Sequence, residues 1–377
     1  MVLGDLGAEV IKIENPNTGD DTRTWGPPFT DSGEAAYFLA INRNKKSVAI
    51  NFRSPDGRKI VEELVAHADV VIENFLPNKL ESLGLGYEAL KAINPRLIYA
   101  SLSSYGATGP SSHMPGYDVM VSARGGLMGI TGDTQPAKVG VAITDITAGL
   151  FLHGAIMAAL ISRERTGQGQ KIDTSLLEVQ VAALANIGQN YLLTGLEGKR
   201  WGTAHPSIVP YQSFQTKDGF LAAGALNNRQ FALLCEKLEL PSLCQDAKFA
   251  TNAKRVENRQ ELIALLAKVF KQDSTQNWLK KLEMLPCSPV NGMADVFSDP
   301  QVLHRNMVMD MEHPIDGRTR TIGFPVKYSE TPCKMRSAPP LLGQHTSEVL
   351  RSLLSKSESQ LKELHQTGVL RCRELVV

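Results

Sequence analysis

Short runs rich in valine and isoleucine recur through the first third of the chain, each closed by a polar break: EVIKI at 9–13, KSVAINF at 46–52, DVVIEN at 69–74 and RLIYASLS at 96–103. Such near-continuous apolar runs predict strands buried on both faces, as in a parallel sheet. Between the second and third, SPDGRKIVEELVAHA spaces its apolar residues at a helical period behind a Ser-Pro start, which predicts an amphipathic helix. The opening LGDLG reads as a helix end and a glycine turn before the first strand. Strands alternating with helices predict an α/β fold with a Rossmann-like, doubly wound parallel sheet.

The longest apolar stretch, VGVAITDITAGLFLHGAIMAAL at 139–160, carries a carboxylate, Asp145, in its interior. An aspartate at the start of a helix is a good N-cap, because its oxygen accepts a hydrogen bond from an amide that has no partner within the helix. The same carboxylate is equally placed to act as a nucleophile at a helix N-terminus. After this helix, TGQGQKID predicts a turn and a short strand, and SLLEVQVAALANI a further apolar helix.

From 195 to 211 the chain is rich in glycine and proline and lacks a period, so it reads as a crossing between domains. A smaller α+β domain follows, with a hairpin turning at Lys217, Asp218 and Gly219 and helices at 229–238, 257–270 and 275–282. Later, PPLLGQHTSEVLRSLL predicts an amphipathic helix capped by Thr346. The expected division is a large domain at 1–176, a linker at 177–200, a small domain at 201–300, a linker at 301–327, and a segment at 328–377 that returns to the large domain.

Charge narrows the possibilities. Forty Lys and Arg residues against thirty-nine Asp and Glu give a net charge of +1, too little for broad attraction to nucleic acid or a membrane surface. Asp145 and His153 interrupt the longest apolar stretch, so no membrane crossing is expected. The five cysteines form no C-x-x-C pair and the eight histidines show no ligand spacing, so neither disulfides nor a metal site is expected. The opening residues read as folded structure rather than a targeting segment.

Several phrases combine: LGDLGAEVIKIE, GDDTR, INRNKKSVAINF, DVVIENFLP, NPRLIYASLSSYG, PGYD with GGLMGITG, ITDITAG, RTGQGQKID and LLGQHTSEVL. In this order the chain, from residue 1 to about 354, resembles the class III coenzyme A transferases. The resemblance implies a Rossmann-like large domain, a small domain, and two ring-shaped subunits interlocked as a homodimer. It also implies that the chain starts after the family's first strand, which leaves open a truncated form with impaired catalysis. The implied reaction moves CoA from succinyl-CoA to a dicarboxylic acid such as glutarate, in mitochondria, with the CoA thioester as substrate and no cofactor.

Under the resemblance, Asp145 falls on the catalytic aspartate. Ile50, Arg53, Asn74, Phe75, Tyr117 and Asp118 fall on CoA-binding positions, and Arg124 and His205 are candidates for meeting the acceptor acid. Arg43, Lys45 and Lys46 are further candidates for phosphate, and the amides of Gly125, Gly126 and Gly129 for an oxyanion. The family also contains α-methylacyl-CoA racemases, which use a histidine in a Gly-His-Asp context. Here that position is Tyr117, whose phenol is a poor proton shuttle at neutral pH, so transfer is favoured. GTAHPSIVPY replaces the family's poly-glycine loop, while Asn15 and Ser82 occupy two positions that are basic in the family.

A carboxylate nucleophile suits CoA transfer. Its attack on an acyl-CoA gives a mixed anhydride, which keeps the energy of the thioester, and the released thiolate can then take the aspartyl carbonyl. Water must be kept away from both intermediates.

Overall fold

The valine- and isoleucine-rich runs become parallel strands. β1 (Val10–Glu14) pairs with β2 (Lys45–Ile50), Val10 opposite Lys45. β3 (Val70–Glu73) pairs with β4 (Ile98–Ser103), and β4 with β5 (Lys171–Ser175), all parallel. Ile98, Tyr99 and Ala100 of β4 are buried, as a central strand covered on both faces requires. The computed structural model describes residues 1–375.

The expected single doubly wound sheet is replaced by two sheets. β1 and β2 belong to one three-stranded sheet, and β3, β4 and β5 form another, with β1 and β3 each at an edge. Apolar runs report that a strand is buried, not which neighbour takes its backbone hydrogen bonds, and Ile72 on β3 is 53% exposed.

Between β2 and β3 the helix Pro55–Val65 begins as its sequence predicts. Ser54 Oγ accepts from Gly57 N at 3.1 Å, Pro55 opens the first turn, and Ile60, Leu64 and Val65 are buried. The 24-residue helix Ile143–Thr166 packs against β4 and β5 through Leu152 and Ile156, which join Ala100 in one core cluster. This helix corrects one expectation. It starts at Ile143, so Asp145 lies inside the first turn and is not the cap. By length and composition alone it is also apolar enough to cross a membrane despite Asp145 and His153, a property that the core helices of folded domains share.

Two compact units result. One contains residues 1–121, 143–180 and 297 onward; the other contains 122–142 and 181–296. The stretch 177–200, read as a linker, is largely helical: Leu176–Ala182 and Ala185–Thr194, separated where Ala185 takes a positive φ of 46°.

In the second unit β6 (Tyr211–Gln215) and β7 (Phe220–Gly224) form an antiparallel hairpin, and β8 (Cys287–Pro289) joins β7. They pack with helices Asn228–Lys237, Arg259–Phe270 and Thr275–Lys281 around Phe214, Leu221, Phe231, Leu262, Leu266, Phe270 and Trp278. The helix expected at 257–270 is two, Asn252–Glu257 and Arg259–Phe270, which meet at Asn258.

Back in the first unit, β9 (Val308–His313) and β10 (Gly317–Ile322) form an antiparallel hairpin. The LLGQHT phrase then docks on β2: Ala49 N donates to Thr346 Oγ1 at 3.0 Å, His345 N to the Ser47 carbonyl, and Gly343 N to Ser47 Oγ. Thr346 therefore fastens the helix Thr346–Leu354 to a strand instead of capping it. β11 (Leu370–Arg371) adds to β2 in antiparallel fashion and completes that sheet.

Candidate active site

The position of Asp145 follows from helix geometry. At about 100° per residue, Asp145, Leu152, Ile156 and Arg163 fall within about 20° of one line along their helix. The middle two pack on the sheet. Arg163 marks the far end of the line, where its guanidinium pairs with Asp69 at 2.9 Å and donates to the Arg96 carbonyl at 3.3 Å, just before β3 and β4 begin. Asp145, five turns earlier, therefore lies toward the carboxyl ends of the strands, where ligands bind in open α/β sheets.

Asp118 holds this end of the helix. Ser104, directly after β4, donates from its hydroxyl to the Gly116 carbonyl at 2.9 Å, and its own carbonyl accepts from Leu177 N. The chain then brings Asp118, 8% exposed, against the Ile143–Thr166 helix. Asp118 Oδ1 accepts from Thr144 N at 2.8 Å and from Asp145 N at 3.4 Å, filling the capping role expected of Asp145. Thr144 Oγ1 donates to Gln180 Oε1 at 2.7 Å, and both residues are buried. Asp145 itself is exposed. Partial burial of its carboxyl, and then the like charge of Asp118, push its pKa up to about 6.

A second cluster forms where β2 and β3 end. Phe52 and Phe75 meet edge to face with centroids 6.1 Å apart. Arg53 and Asn74 beside them are exposed. Glu73 fixes this turn by accepting from Phe75 N at 2.8 Å and from Ser101 Oγ. Ile50 differs from its neighbours: it is fully buried, with its side chain in the core below and its backbone paired with Leu370 of β11.

Tyr117 is 63% exposed. Arg124 and His205 belong to the second unit. Arg124 is exposed, and His205 is stacked on Tyr211 with its Nδ1 accepting from Ser207 N at 3.0 Å. The three basic candidates for phosphate have partners within the chain. Arg43 makes two hydrogen bonds to Asp5 in a buried pair, Lys45 donates to Asn42, and Lys46 pairs with Glu9 and Glu348. The Gly126 and Gly129 amides are committed within their own turn, to Ala123 and Gly126 carbonyls.

Thr144, Gln180, Phe52 and Glu73 escaped sequence reasoning. Gln180 carried a signal, a polar residue inside the apolar run LLEVQVAAL. Two clefts, of about 510 and 350 Å³, are lined by other residues, among them Asp310, Phe324, Lys327 and Tyr328 in the first and Glu63, His67 and Leu353 in the second. Asp145 lines neither.

Residues 1–346 match the profile of CoA-transferase family III. The chain is 51% identical to succinyl-CoA:glutarate CoA-transferase of Mus musculus, over 99% of this chain and 86% of that protein. It is 42% identical to succinate–glutarate CoA-transferase of Agrobacterium fabrum, over 94% and 90% respectively. Among solved structures, a CAIB/BAIF family protein from Brucella suis superposes with a TM-score of 0.85 at 45% identity, covering 93% of each chain.

Proposed function

Since the chain belongs to CoA-transferase family III and is an enzyme of that class, we propose that it moves CoA from succinyl-CoA to a dicarboxylic acid such as glutarate, with Asp145 as the covalent nucleophile. The observation that carries this reading is the Asp145 carboxyl, held in the first turn of its helix toward the strand ends and raised to about 6. At pH 7 such a group is ionised by about ten to one, yet is more basic, and so more nucleophilic, than an ordinary aspartate.

Attack of an Asp145 oxygen on the thioester carbonyl forms a C–O bond and breaks the C–S bond, giving a succinyl-aspartyl anhydride and CoA thiolate. The thiolate then attacks the aspartyl carbonyl, releasing succinate and leaving an aspartyl-CoA thioester. Glutarate reverses the sequence: its carboxylate attacks the aspartyl carbonyl and expels the thiolate, which attacks the glutaryl carbonyl and frees Asp145. Each step exchanges one activated acyl group for another, so no external energy source is needed. In this proposal CoA is a substrate and the enzyme needs no cofactor. Its nucleotide end lies on Phe52, Phe75, Arg53 and Asn74, with buried Ile50 supporting them from the core below, and Tyr117 lies along the acyl side. A mitochondrial location belongs to the same proposal.

The exposed face of the Ile143–Thr166 helix supports a homodimer. Ile146, Leu150, Met157 and Ile161 fall on one side and are 40–58% exposed, an apolar stripe that soluble monomers rarely leave uncovered. A second copy covering it would dry the surroundings of the helix, as anhydride chemistry requires. Sedimentation should give a dimer, and Leu150→Lys a smaller species.

The test of the main proposal is incubation with succinyl-CoA and glutarate, followed by hydroxylamine. Glutaryl-CoA should form, and the hydroxamate should map to Asp145. Undiminished turnover by Asp145→Ala would overturn the mechanism while leaving the reaction in place.

A further inference from the structure

We infer that Asp118 and Gln180 are positioning residues for Asp145: together they clasp the first turn of its helix from two sides and so set where the reacting carboxylate projects. The inference rests on the reading of Asp145 as nucleophile and assigns Asp118 a role other than contact with CoA.

The clasp has two arms. From the start of the helix Asp118–Arg124, one Asp118 oxygen takes the amides of Thr144 and Asp145 at 2.8 and 3.4 Å. From the helix Leu176–Ala182, Gln180 Oε1 takes the Thr144 hydroxyl at 2.7 Å. Both arms grip backbone or side chain immediately beside Asp145, and neither consumes an Asp145 carboxyl oxygen. A nucleophile needs this arrangement, a fixed base and free reacting atoms.

Each arm is costly if its only purpose is to hold the fold. Gln180 is 2% exposed, and its Nε2 has no hydrogen-bond partner among the described residues. Exchanging the ends of the amide only transfers the unpaired atom to Oε1. Val179 beside it packs into an apolar cluster at no such cost. Asp118 sets a second carboxylate against Asp145, when asparagine offers a comparable cap without the charge. Among the described residues Asp118 is the charged group that acts on Asp145; Thr144 and Thr147 of the same helix, and Gln180 opposite, are neutral. The negative charge is thus part of what Asp118 contributes: it makes the neighbouring carboxylate more basic while the cap holds it in place.

The test compares Asp118→Asn, Asp118→Ala, Gln180→Leu and Asp145→Ala in the full-length protein, measuring kcat and KM for succinyl-CoA from pH 5 to 9. Asp118→Ala and Gln180→Leu should lower kcat by roughly 10- to 100-fold, the scale expected for a displacement of about 1 Å, with KM changed less than about threefold. Asp118→Asn keeps an acceptor for the two amides, so its loss of kcat should be the smaller. Its acid limb of kcat/KM should move to lower pH, a displacement that a purely structural role would not produce. A raised KM with unchanged kcat would make Asp118 a substrate contact and overturn the inference, as would an unmoved acid limb. If Asp118→Ala fails to fold, the other two variants still decide. Full turnover by Asp145→Ala would instead strike the underlying reading, and is separately visible.

Discussion

Replacing Asp145 with asparagine should stabilise the protein at alkaline pH. The native state raises this carboxyl from 3.8 to about 6, through partial burial and the charge of Asp118, so the folded chain binds the proton more tightly than the unfolded one. The sign follows: stability falls as pH rises between 3.8 and about 6, and the penalty is complete above that window. At 1.36 kcal/mol per pKa unit the ceiling is about 3 kcal/mol. Asp145 is exposed, and solvent screening reduces the expected gain to about 1 kcal/mol. Urea titrations followed by circular dichroism at pH 8 and pH 5 give the comparison. The variant should exceed the wild type by about 1 kcal/mol at pH 8 with an unchanged m-value, and by about half of that at pH 5. A variant no more stable than wild type at pH 8 would refute the argument that this carboxylate sits in a place unfavourable to its charge. The same substitution should abolish transfer, so stability and activity would move in opposite directions at one residue.

Other consequences can be checked directly. Arg255 is fully buried, and its partners among the described residues are neutral acceptors, the Val209 and Phe249 carbonyls and Asn228 Oδ1; Arg255→Ala should cost about 3 kcal/mol or more, measured in the unfolding of the second unit. Burial alone would raise Glu14, but hydrogen bonds and charge from Arg23, with Ser47, hold its carboxyl below the usual range. Its contribution is thus present above the unfolded glutamate pKa and disappears as pH falls through the lowered folded value, and Glu14→Gln should flatten the acid side of a stability profile. A Cβ on Gly169 would stand 2.0 Å from the Leu97 carbonyl oxygen, so Gly169→Ala should push β4 and β5 apart and lower the thermal midpoint, whereas Gly154→Ala, with open space around it, should not.

Strands were readable because burial on both faces writes itself as unbroken Val and Ile, and KSVAINF and RLIYASLS landed within a few residues of β2 and β4. Helix starts were read less well where the cap comes from elsewhere. Ile143 and Thr144 are β-branched and look extended, and the carboxylate that caps them, Asp118, lies 26 residues earlier in the sequence. Thr346 resembled a cap for the opposite reason: its hydroxyl suits one, but Ala49 N claims it. Arg43 and Lys46 show the limit for charge, since a basic residue in sequence does not disclose whether its partner is a phosphate or another part of the chain. Asp145 stood out early because an apolar run makes any carboxylate conspicuous. Its clasp did not, because Asp118, Thr144 and Gln180 are close only after folding.

The docking of β11 and the LLGQHT phrase on β2 bears on the order of events during synthesis. Residues 181–296 leave the ribosome before Leu370 and Arg371 exist, so the inserted unit can close its own core while β2 has β1 on one side and nothing yet on the other. Until translation reaches that last strand, Val48 and Ile50 must wait with one flank bare, and a nascent chain stalled between 300 and 340 should be the species most avidly held by chaperones.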